Sequence, residues 1–290
     1  MRKSIWLLVV ILVVGLAGCT KPATGQEQTK TDVNRKAGER MVKTVDGIEY
    51  AFRWCPAGTF QMGSPSGEEG RFNNETQHQV TLTKGFWMLE TEVTQAMWQN
   101  VMGESISEKA KQGTYFSDLG GEGSNYPMYY VSWNDCQEFC KKLSEKIGMI
   151  ITLPTEAQRE YACRAGTTTP FFWGSTLNGD KANCNGNFPC GTETKGTYLE
   201  RTAPVKSYAP NAWGVYDMHG NVCEWCMDWY GDYPNGAVTD PTGPESADRV
   251  CRGGDWDRVA LGCRSACRYG YMPVYRDSFI GIRVVGYPAQ

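Results

Sequence analysis

The sequence CRGGDWDRVALGCRSACRYGYMPVYRDSFIGIRVV, at Cys251–Val285, is the most informative stretch of the 290-residue chain. It contains a regular frame of Gly, Trp, Ala, Cys, Arg, Pro and Ile residues. Between the frame residues lie open positions, whose side chains follow neither a helical nor a strand period. The open positions mix charged, aromatic, aliphatic and small residues: Asp255, Asp257, Arg258, Val259, Leu261, Gly262, Cys267, Tyr269, Gly270, Tyr271, Met272, Val274, Tyr275, Asp277, Ser278 and Phe279.

The amino acids of this segment are a restricted set. No Lys, Glu or Gln occurs within Cys251–Arg283, although the preceding 250 residues contain 14 Lys, 19 Glu and 10 Gln. A window of that length and of average composition should hold about five or six of them. The segment therefore has a composition of its own, distinct from the rest of the chain.

Five further motifs lie between Gly58 and Trp225. They are GTFQMGS (Gly58–Ser64), HQVTLTKGFWMLETEVTQAMW (His78–Trp98), YPMYYVSWNDCQEFC (Tyr126–Cys140), LPTEAQREYACRAG (Leu153–Gly166) and APVKSYAPNAWGVYDMHGNVCEW (Ala203–Trp225). With the C-terminal segment, they resemble the formylglycine-generating-enzyme (sulfatase-modifying factor) family, whose fold is a variant of the C-type lectin fold. The resemblance implies an α+β fold with small antiparallel sheets, few helices and long irregular loops. It implies one domain at residues 44–290, with a variable region at about 251–283.

Local patterns predict three helices and four short strands. Thr94 caps the first helix, which ends at Gly103, and Ser132 caps the second, which ends at Gly148. A capping box of Thr155 and Gln158 opens the third helix. Strands are expected at Gly58–Gly63, Gln79–Thr83, Phe86–Leu89 and Ile280–Val285.

The cysteine pair that serves the oxidases of this family is incomplete here. The resemblance places the second cysteine at Cys263 and the first at Arg258. A guanidinium cannot replace a thiolate as a ligand for Cu(I). Asp255 and Cys223 also stand where the family has Ser and Trp. We therefore expect a protein that is not an enzyme and binds no copper; the alternative is a copper-dependent formylglycine-generating oxidase.

The residue types at the open positions have a chemical explanation. Random replacement of the adenines in AAC or AAT codons yields Asp, Arg, Val, Leu, Gly, Cys, Tyr, Ser and Phe, but never Lys, Glu, Gln, Met or Trp. Fifteen of the sixteen open positions fit, and Met272 is the exception. The chain thus resembles the variable lipoprotein of a diversity-generating retroelement, in which reverse transcription randomises adenines in C-terminal codons. Such proteins use the randomised side chains as a ligand-binding surface.

We accordingly predict that the open positions, apart from Met272, bind a protein or glycan ligand. Most open-position side chains should be exposed and clustered on one face, and the tyrosines should supply rigid contact area. Trp256, Ala260, Ala266 and Ile280 of the frame should be buried. Two alternatives remain open: a diverged enzyme tail whose aromatic residues pack internally, and a structural surface protein without a diversified ligand.

The stretch DMHGNVCE resembles a calcium-binding segment of the same family. Carried over by position, Asp217 and Glu224 supply carboxylate oxygens, and Gly220 and Val222 supply backbone carbonyls. Oxygen ligands of this kind suit Ca²⁺. The resemblance thus implies a structural calcium ion, which braces a loop and takes no part in chemistry.

The N-terminal residues resemble a targeting signal rather than part of the folded domain. A short basic region and an apolar run precede Cys19, as in a bacterial lipoprotein signal. We predict a signal peptide at residues 1–18, lipidation at Cys19 and a flexible tether at residues 19–43. Membrane contact would then occur through the lipid anchor alone, at the cell envelope and on the outer-membrane surface.

The charge balance bears on the partners. Lys and Arg total 29 against 32 Asp and Glu, which gives a net charge of −3. Such a balance provides no field to hold a polyanion, so we expect no nucleic-acid partner. We expect a monomer.

Overall fold

The computed structural model describes residues 35–113 and 119–289. The predicted signal peptide, Cys19 and most of the predicted tether lie outside these residues. The helices are α1 (Gln95–Met102), α2 (Ile106–Ala110), α3 (Trp133–Ile147) and α4 (Glu156–Arg164). The strands are β1 (Arg40–Val45), β2 (Ile48–Cys55), β3 (Gly58–Met62), β4 (His78–Leu82), β5 (Phe86–Leu89), β6 (Met149–Thr152), β7 (Cys223–Trp229), β8 (Val238–Thr239), β9 (Arg249–Arg252), β10 (Arg268–Tyr271), β11 (Ile280–Gly281) and β12 (Val285–Pro288).

The strands form three small sheets. A five-stranded sheet has the order β1-β2-β5-β12-β6 and is antiparallel throughout. A four-stranded sheet has the order β10-β9-β7-β11, and a three-stranded sheet the order β3-β4-β8. In each of these two sheets one outer pair is parallel, namely β11 with β7 and β8 with β4. Long segments without regular structure connect the sheets, as the motifs predicted.

The capping residues place the helices as predicted. The side chains of Thr94, Ser132 and Thr155 each accept a hydrogen bond from a backbone N–H of the first turn. Gly103 and Gly148 end α1 and α3 in the left-handed conformation that glycine adopts without steric cost. The sequence prediction did not include α2, a helix of five residues.

The folded domain starts earlier than the predicted boundary at residue 44. β1 begins at Arg40 and pairs with β2 along its whole length. Ahead of it, the backbone N–H of Gly38 donates to the carbonyl of Trp54, and the guanidinium of Arg35 lies 5.0 Å from the Trp87 ring centre. Residues 35–43 therefore belong to the domain rather than to the tether.

The predicted strand at Ile280–Val285 is two separate strands in different sheets. β11 pairs with β7, whereas β12 pairs with β5 and β6. Between them, the side chain of Arg283 is fully buried and donates to Glu224. This crossing links the five-stranded sheet to the sheet that carries the C-terminal segment.

The core combines apolar and ionic contacts. Trp98 and Phe139 stack with their ring centres 5.2 Å apart, and the indole N–H of Trp225 donates to the carbonyl of Val131. Burial of such large side chains supplies most of the folding free energy. Within the described residues, no helix combines the length and apolar character that crossing a membrane requires.

Candidate ligand-binding face

Buried arginines fix the backbone of the C-terminal segment. Arg252 pairs with Glu160, Arg264 with Glu75 at 2.8 Å, and Arg268 with Glu156 at 2.6 Å. All of these side chains are at least 95% buried. A buried charge is tolerated only when it is paired and hydrogen-bonded, so these contacts hold the segment in one position. We call the four pairs formed by Arg252, Arg264, Arg268 and Arg283 the ionic frame.

Four aromatic side chains and one arginine gather above this frame. Tyr271 and Tyr275 stack with centres 5.3 Å apart and planes 6° from parallel, and Phe279 lies 6.0 Å from Tyr271. The guanidinium of Arg258 lies 4.7 Å from the Tyr269 ring and donates to the Tyr271 hydroxyl at 2.8 Å. We call these five residues the aromatic cluster. All five side chains are partly exposed.

Strand geometry explains why the first two tyrosines share a face. In β10, Tyr269 lies opposite Cys251 and Tyr271 lies opposite Arg249. Side chains two apart on a strand point to the same side of the sheet. Tyr269 and Tyr271 therefore stand side by side above the four-stranded sheet.

An exposed rim surrounds the aromatic cluster. Met272 and Val274 are 59% and 57% exposed, and Val259 is 39% exposed. Asp257 is also exposed and accepts a hydrogen bond from the hydroxyl of Tyr198. Leu261 and Gly270 are partly exposed, and both are close to neighbouring loops at Gly70 and Tyr230. The rim and the cluster together form the face that we call the variable face.

Five predicted binding positions are buried instead of exposed. They are Asp255, Gly262, Cys267, Asp277 and Ser278. These five are exceptions to the expectation that most open positions face solvent, and their assignment as ligand-contacting residues is corrected. The prediction that the frame residue Trp256 is buried is also wrong, because Trp256 is partly exposed. Ala260, Ala266 and Ile280 are buried as predicted.

Each of the buried positions supports the face from below. Asp255 accepts hydrogen bonds from the backbone N–H groups of Asp257 and Arg258. Asp277 accepts from the Tyr275 hydroxyl at 2.6 Å and from the backbone N–H of Ser278. The Cys267 thiol lies 3.4 Å from the Tyr269 hydroxyl, which donates to the carbonyl of Gly262. Through these side-chain and backbone contacts the buried positions hold the loops and aromatic rings, and they do not reach a ligand directly.

Asp255 is held in place by a tight turn. Gly254, the preceding residue, has φ 70°, and a Cβ atom there would lie 2.6 Å from the Cys263 sulfur. The turn directs the Asp255 carboxylate inward, to the Nε of Arg258 at 3.2 Å. Burial raises the pKa of Asp255 to about 7, although the nearby guanidinium of Arg258 lowers it.

The substitution Asp255→Asn should remove a pH-dependent loss of stability. The folded carboxyl holds its proton up to about pH 7, whereas the unfolded one releases it near about pH 3.9. The folded state thus binds more protons in this window, and the free energy of unfolding of the parent falls as the pH rises through it. Between about pH 5 and about pH 8, urea unfolding should show the variant gaining about 2.5 kcal/mol over the parent. The exposed neighbour offers a control, Asp257→Asn, and equal pH dependence in parent and Asp255→Asn would contradict the assignment.

The resemblance assigned the two positions of the oxidase cysteine pair to Arg258 and Cys263, and both residues lie in the C-terminal segment. Cys263 is fully buried, and a hydrogen bond with Cys184 together with burial raises the pKa of its thiol. Cys223 and Cys251 are in similar contact under the aromatic cluster, and burial is the main cause of the raised pKa of Cys251. Within the described residues every cysteine is buried and none forms a disulfide. Cys251 and Cys263, whose pKa values are raised, are therefore protonated packing groups.

The predicted calcium ligands do not form a site that fits the ion. Glu224 is fully buried, and both of its carboxylate oxygens accept hydrogen bonds from Arg283. Its Oε2 also lies 2.5 Å from the Nε of Arg159. Two guanidinium groups occupy the place where the resemblance puts a dication, and they repel one. The carboxylate of Asp217 accepts from the backbone N–H of Lys206.

The other two predicted calcium ligands, Gly220 and Val222, lie in tightly packed parts of the structure. Gly220 packs so closely on Asn183 that a Cβ would lie 2.1 Å from its carbonyl oxygen, and Val222 is buried in the core. In the part of the chain that the structure describes, no group of three or more His, Cys, Asp or Glu side chains could hold a metal ion. The calcium site at Asp217, Gly220, Val222 and Glu224 stays a prediction, and the pairing of Glu224 with two arginines does not favour it.

Sequence reasoning missed two contacts near the face. Tyr198, from the long loop before Ala203, reaches the rim through Asp257. Cys163 on α4 lies 3.5 Å from the Nε2 of His219, and the charges of His219 and Arg159 lower the pKa of its thiol to about 6 against the effect of burial. Only the resemblance of LPTEAQREYACRAG to its family pointed at that region, and no local pattern indicated either contact.

Comparison with known proteins identifies the family. A family model for sulfatase-modifying factor enzyme 1-like domains matches residues 25–287. The chain belongs to this family. The resemblance stated from the motifs is thereby confirmed, and so is the α+β fold of the formylglycine-generating-enzyme type.

The relatives include proteins named as formylglycine-generating enzymes and one that is named as inactive. The Streptomyces coelicolor formylglycine-generating enzyme is 37% identical over 178 residues, which cover 58% of this chain and 54% of that enzyme. The match thus spans about half of the enzyme's length. A Bos taurus protein named inactive Cα-formylglycine-generating enzyme 2 is 28% identical over 84% of this chain and 90% of its own.

A solved structure supports the resemblance to a variable protein. Treponema denticola variable protein 1 matches with a TM-score of 0.69 at 26% identity, over 86% of this chain and 99% of its own. The predicted similarity to a variable protein on this fold is therefore confirmed. The family contains enzymes as well as proteins that are not enzymes. Membership alone therefore does not decide whether this chain is catalytic.

Proposed function

We propose that this chain is a non-catalytic ligand-binding lipoprotein whose variable face is diversified to change the partner it recognises. The partner is a protein or a glycan. The observation that carries the proposal is the coincidence of two independent features: the restricted alphabet of the open positions, and the gathering of their larger side chains into one partly exposed face.

The chemistry of the face suits recognition. Tyrosine and arginine are enriched where a few residues carry most of the binding energy, because they offer large area at low entropic cost. In this protein Tyr271, Tyr275 and Arg258 are already held by stacking and by hydrogen bonds. A preordered surface loses less conformational entropy when a ligand binds.

An oxidase function is the second candidate, because a 37% identical relative is named as a formylglycine-generating enzyme. The geometry disfavours it. Arg258 occupies the first cysteine position and pairs with Asp255, while Cys263 is fully buried. Cu(I) in such a site needs thiolate ligands, which a paired guanidinium and a protonated thiol do not supply.

Placement at the outer-membrane surface is part of the proposal. Lipidation of Cys19 would hold the domain by acyl chains, and the segment between Cys19 and the domain would set its distance from the bilayer. A binding face at the carboxyl end of such a domain can meet partners outside the cell.

The experiment is to sequence the DNA next to the gene together with the variable segment of sister clones. We expect a near-copy of the last coding segment, rich in adenine at the open positions, beside a reverse-transcriptase gene. We also expect sister clones to differ at those positions and to share the frame. Identical tails without a template copy would contradict diversification, and stoichiometric copper uptake with aldehyde formation on a cysteine peptide would instead establish the oxidase.

A further inference from the structure

A guanidinium is held between two indole rings at the edge of the variable face. The central carbon of the Arg249 guanidinium lies 3.9 Å from the ring centre of Trp133 and 3.3 Å from that of Trp229. Both distances are below the limit of about 6 Å for a cation–π contact. The indole N–H of Trp133 donates to the carbonyl of Cys226 at 2.9 Å, which fixes the orientation of that ring. We call Trp133, Arg249 and Trp229 the arginine sandwich.

The arginine sandwich continues the variable face across the four-stranded sheet. Arg249 on β9 lies opposite Tyr271 on β10 and opposite Trp229 on β7. Residues that lie directly opposite each other on neighbouring strands place their side chains on the same side of the sheet. Since Tyr271 belongs to the aromatic cluster, the guanidinium stands next to that cluster. The three residues of the sandwich are partly exposed and precede Cys251–Arg283, so none of them is an open position.

The charge of Arg249 has no counter-charge in contact. Every arginine of the C-terminal segment has a carboxylate oxygen within 4.0 Å, namely Arg252, Arg258, Arg264, Arg268, Arg276 and Arg283. No described residue offers Arg249 a carboxylate within that distance. Burial lowers the pKa of Arg249, against the effect of the neighbouring Asp228 charge. The guanidinium nevertheless stays charged at neutral pH, as arginine does in proteins.

Most N–H donors of this guanidinium have no partner. Nη1 donates to the carbonyl of Met227 at 2.7 Å, and no other described residue accepts a hydrogen bond from the Arg249 side chain. Nε is buried without a partner, whereas Nη2 is not buried. A charged donor that is open to solvent and already held in place loses little conformational entropy when it binds an anion.

Apolar surface lies next to the arginine sandwich. The backbone N–H of Asn134, the residue after Trp133, donates to the carbonyl of Pro273 at 3.4 Å. This contact brings the segment of Met272, Pro273 and Val274 to the start of α3. Met272 and Val274 are 59% and 57% exposed. A ligand that covers both regions combines a negative charge with apolar groups, as an acidic protein segment does, whereas the hydroxyl groups of a glycan do not match apolar side chains.

We propose that the arginine sandwich binds the carboxylate of a Glu or Asp side chain of a protein ligand through Nη2 of Arg249. The rim residues Met272 and Val274 contact the apolar neighbours of that side chain. Because the sandwich lies outside the open positions, all members of a diversified set share this contact, while the open positions set the specificity. Carboxylate binding is a property of the unaltered chain, and its use by ligands of the variable face rests on the function proposed above.

The test follows the Nε–H signal of Arg249 in NMR titrations of the unaltered chain. Cross-peaks to the indole protons of Trp133 and Trp229 identify this signal, so no variant is needed to read it. The probes are the peptide acetyl-Leu-Glu-Leu-amide, its counterpart with Gln in place of Glu, and glucuronate. Low ionic strength is used because salt screens an exposed charge. We expect the Glu peptide to bind at least about tenfold more tightly than the Gln peptide, because only the former carries a carboxylate.

Glucuronate distinguishes a protein from an acidic glycan as the source of the carboxylate. It has the same charge as the Glu peptide but no apolar side chain for the rim. We expect it to bind at least about threefold more weakly than the Glu peptide. Tighter binding of glucuronate would overturn the assignment to a protein ligand.

Variants locate the contact, with affinity measured from the signals of the Glu peptide. Arg249→Gln removes the charge and should weaken binding at least about tenfold. Arg249→Lys keeps the charge but loses the planar group that pairs with a carboxylate, so binding should weaken at least about fivefold. Arg201→Gln is the control, because Arg201 is exposed and has no carboxylate contact among the described residues. It removes the same charge and should leave binding within about twofold of the parent, since salt and water screen a distant exposed charge.

Three results would overturn the proposal: equal binding of the Glu and Gln peptides, an Arg249 signal that does not move at up to about 20 mM Glu peptide, or equal losses in Arg249→Gln and Arg201→Gln. The titration of the unaltered chain decides the matter even when Arg249→Gln does not fold. The proposed function fails on a different result, identical tails in sister clones without a template copy, so the two failures are distinguishable.

Discussion

Replacing Glu224 by alanine should lower the free energy of unfolding by about 3 to 5 kcal/mol, measured by urea denaturation. Glu224 is fully buried, and it pairs with Arg159 at 2.5 Å and with Arg283 at 2.8 Å. Removing it leaves the buried guanidinium of Arg159 without its counter-charge and leaves Arg283 with the more distant carboxylate of Glu92, at 4.0 Å. The two guanidinium groups retain backbone acceptors at the carbonyls of Met218 and Leu89.

The control for this prediction is an exposed carboxylate in a comparable ion pair. Glu138 on α3 is 56% exposed and lies 2.9 Å from Lys142. Glu138→Ala should cost less than about 1 kcal/mol, because water screens such a pair. If Glu224→Ala were no more destabilising than Glu138→Ala, the account of the ionic frame would be wrong.

The three helices were predicted correctly because each helix end is determined by residues close to it in the chain. Capping needs a side chain and a backbone N–H three residues away, as at Ser132 and Asp135. β1 was missed for the opposite reason. Its residues RMVKTV lie on an outer strand, and the burial along it alternates only between exposed and partly exposed until Val45. Without an apolar face, such a strand resembles a polar tether.

The exposure of the open positions could not be read from the sequence. In irregular loops no period assigns a side chain to a face, so Asp255 and Asp257 look equivalent in sequence. The turn at Gly254 buries the first and leaves the second exposed. The pairing of Glu224 with Arg283 could not be predicted either, because Arg283 lies 59 residues from Glu224 and no local motif shows that they meet.

The second large effect concerns tolerance to substitution. We expect the exposed part of the variable face to accept nearly arbitrary side chains, and the ionic frame to accept almost none. Exposed positions away from buried polar contacts usually change stability by within about 0.5 kcal/mol. Val259, Met272 and Val274 are of that kind. A buried arginine such as Arg264, which donates to both Glu68 and Glu75, is not.

Two libraries of displayed variants compare the tolerance to substitution of the variable face with that of the ionic frame. The face library randomises the rim and the exposed cluster residues with codons that end in a pyrimidine, at Asp257, Arg258, Val259, Tyr271, Met272, Val274 and Tyr275. The frame library applies the same codons at Glu75, Glu156, Glu224, Arg252, Arg264, Arg268 and Arg283. Both libraries have the same number of randomised positions, so library size does not bias the comparison.

The decisive measurement is the fraction of each library that resists protease, followed by selection of the resistant face variants on an immobilised probe protein that the parent chain does not bind. We predict that most face variants and almost no frame variants survive, and that the survivors contain binders that lose affinity when the new side chains are cut back to alanine. Equal survival of the two libraries, or a resistant face library without binders, would contradict the view that a rigid frame presents exchangeable side chains for recognition.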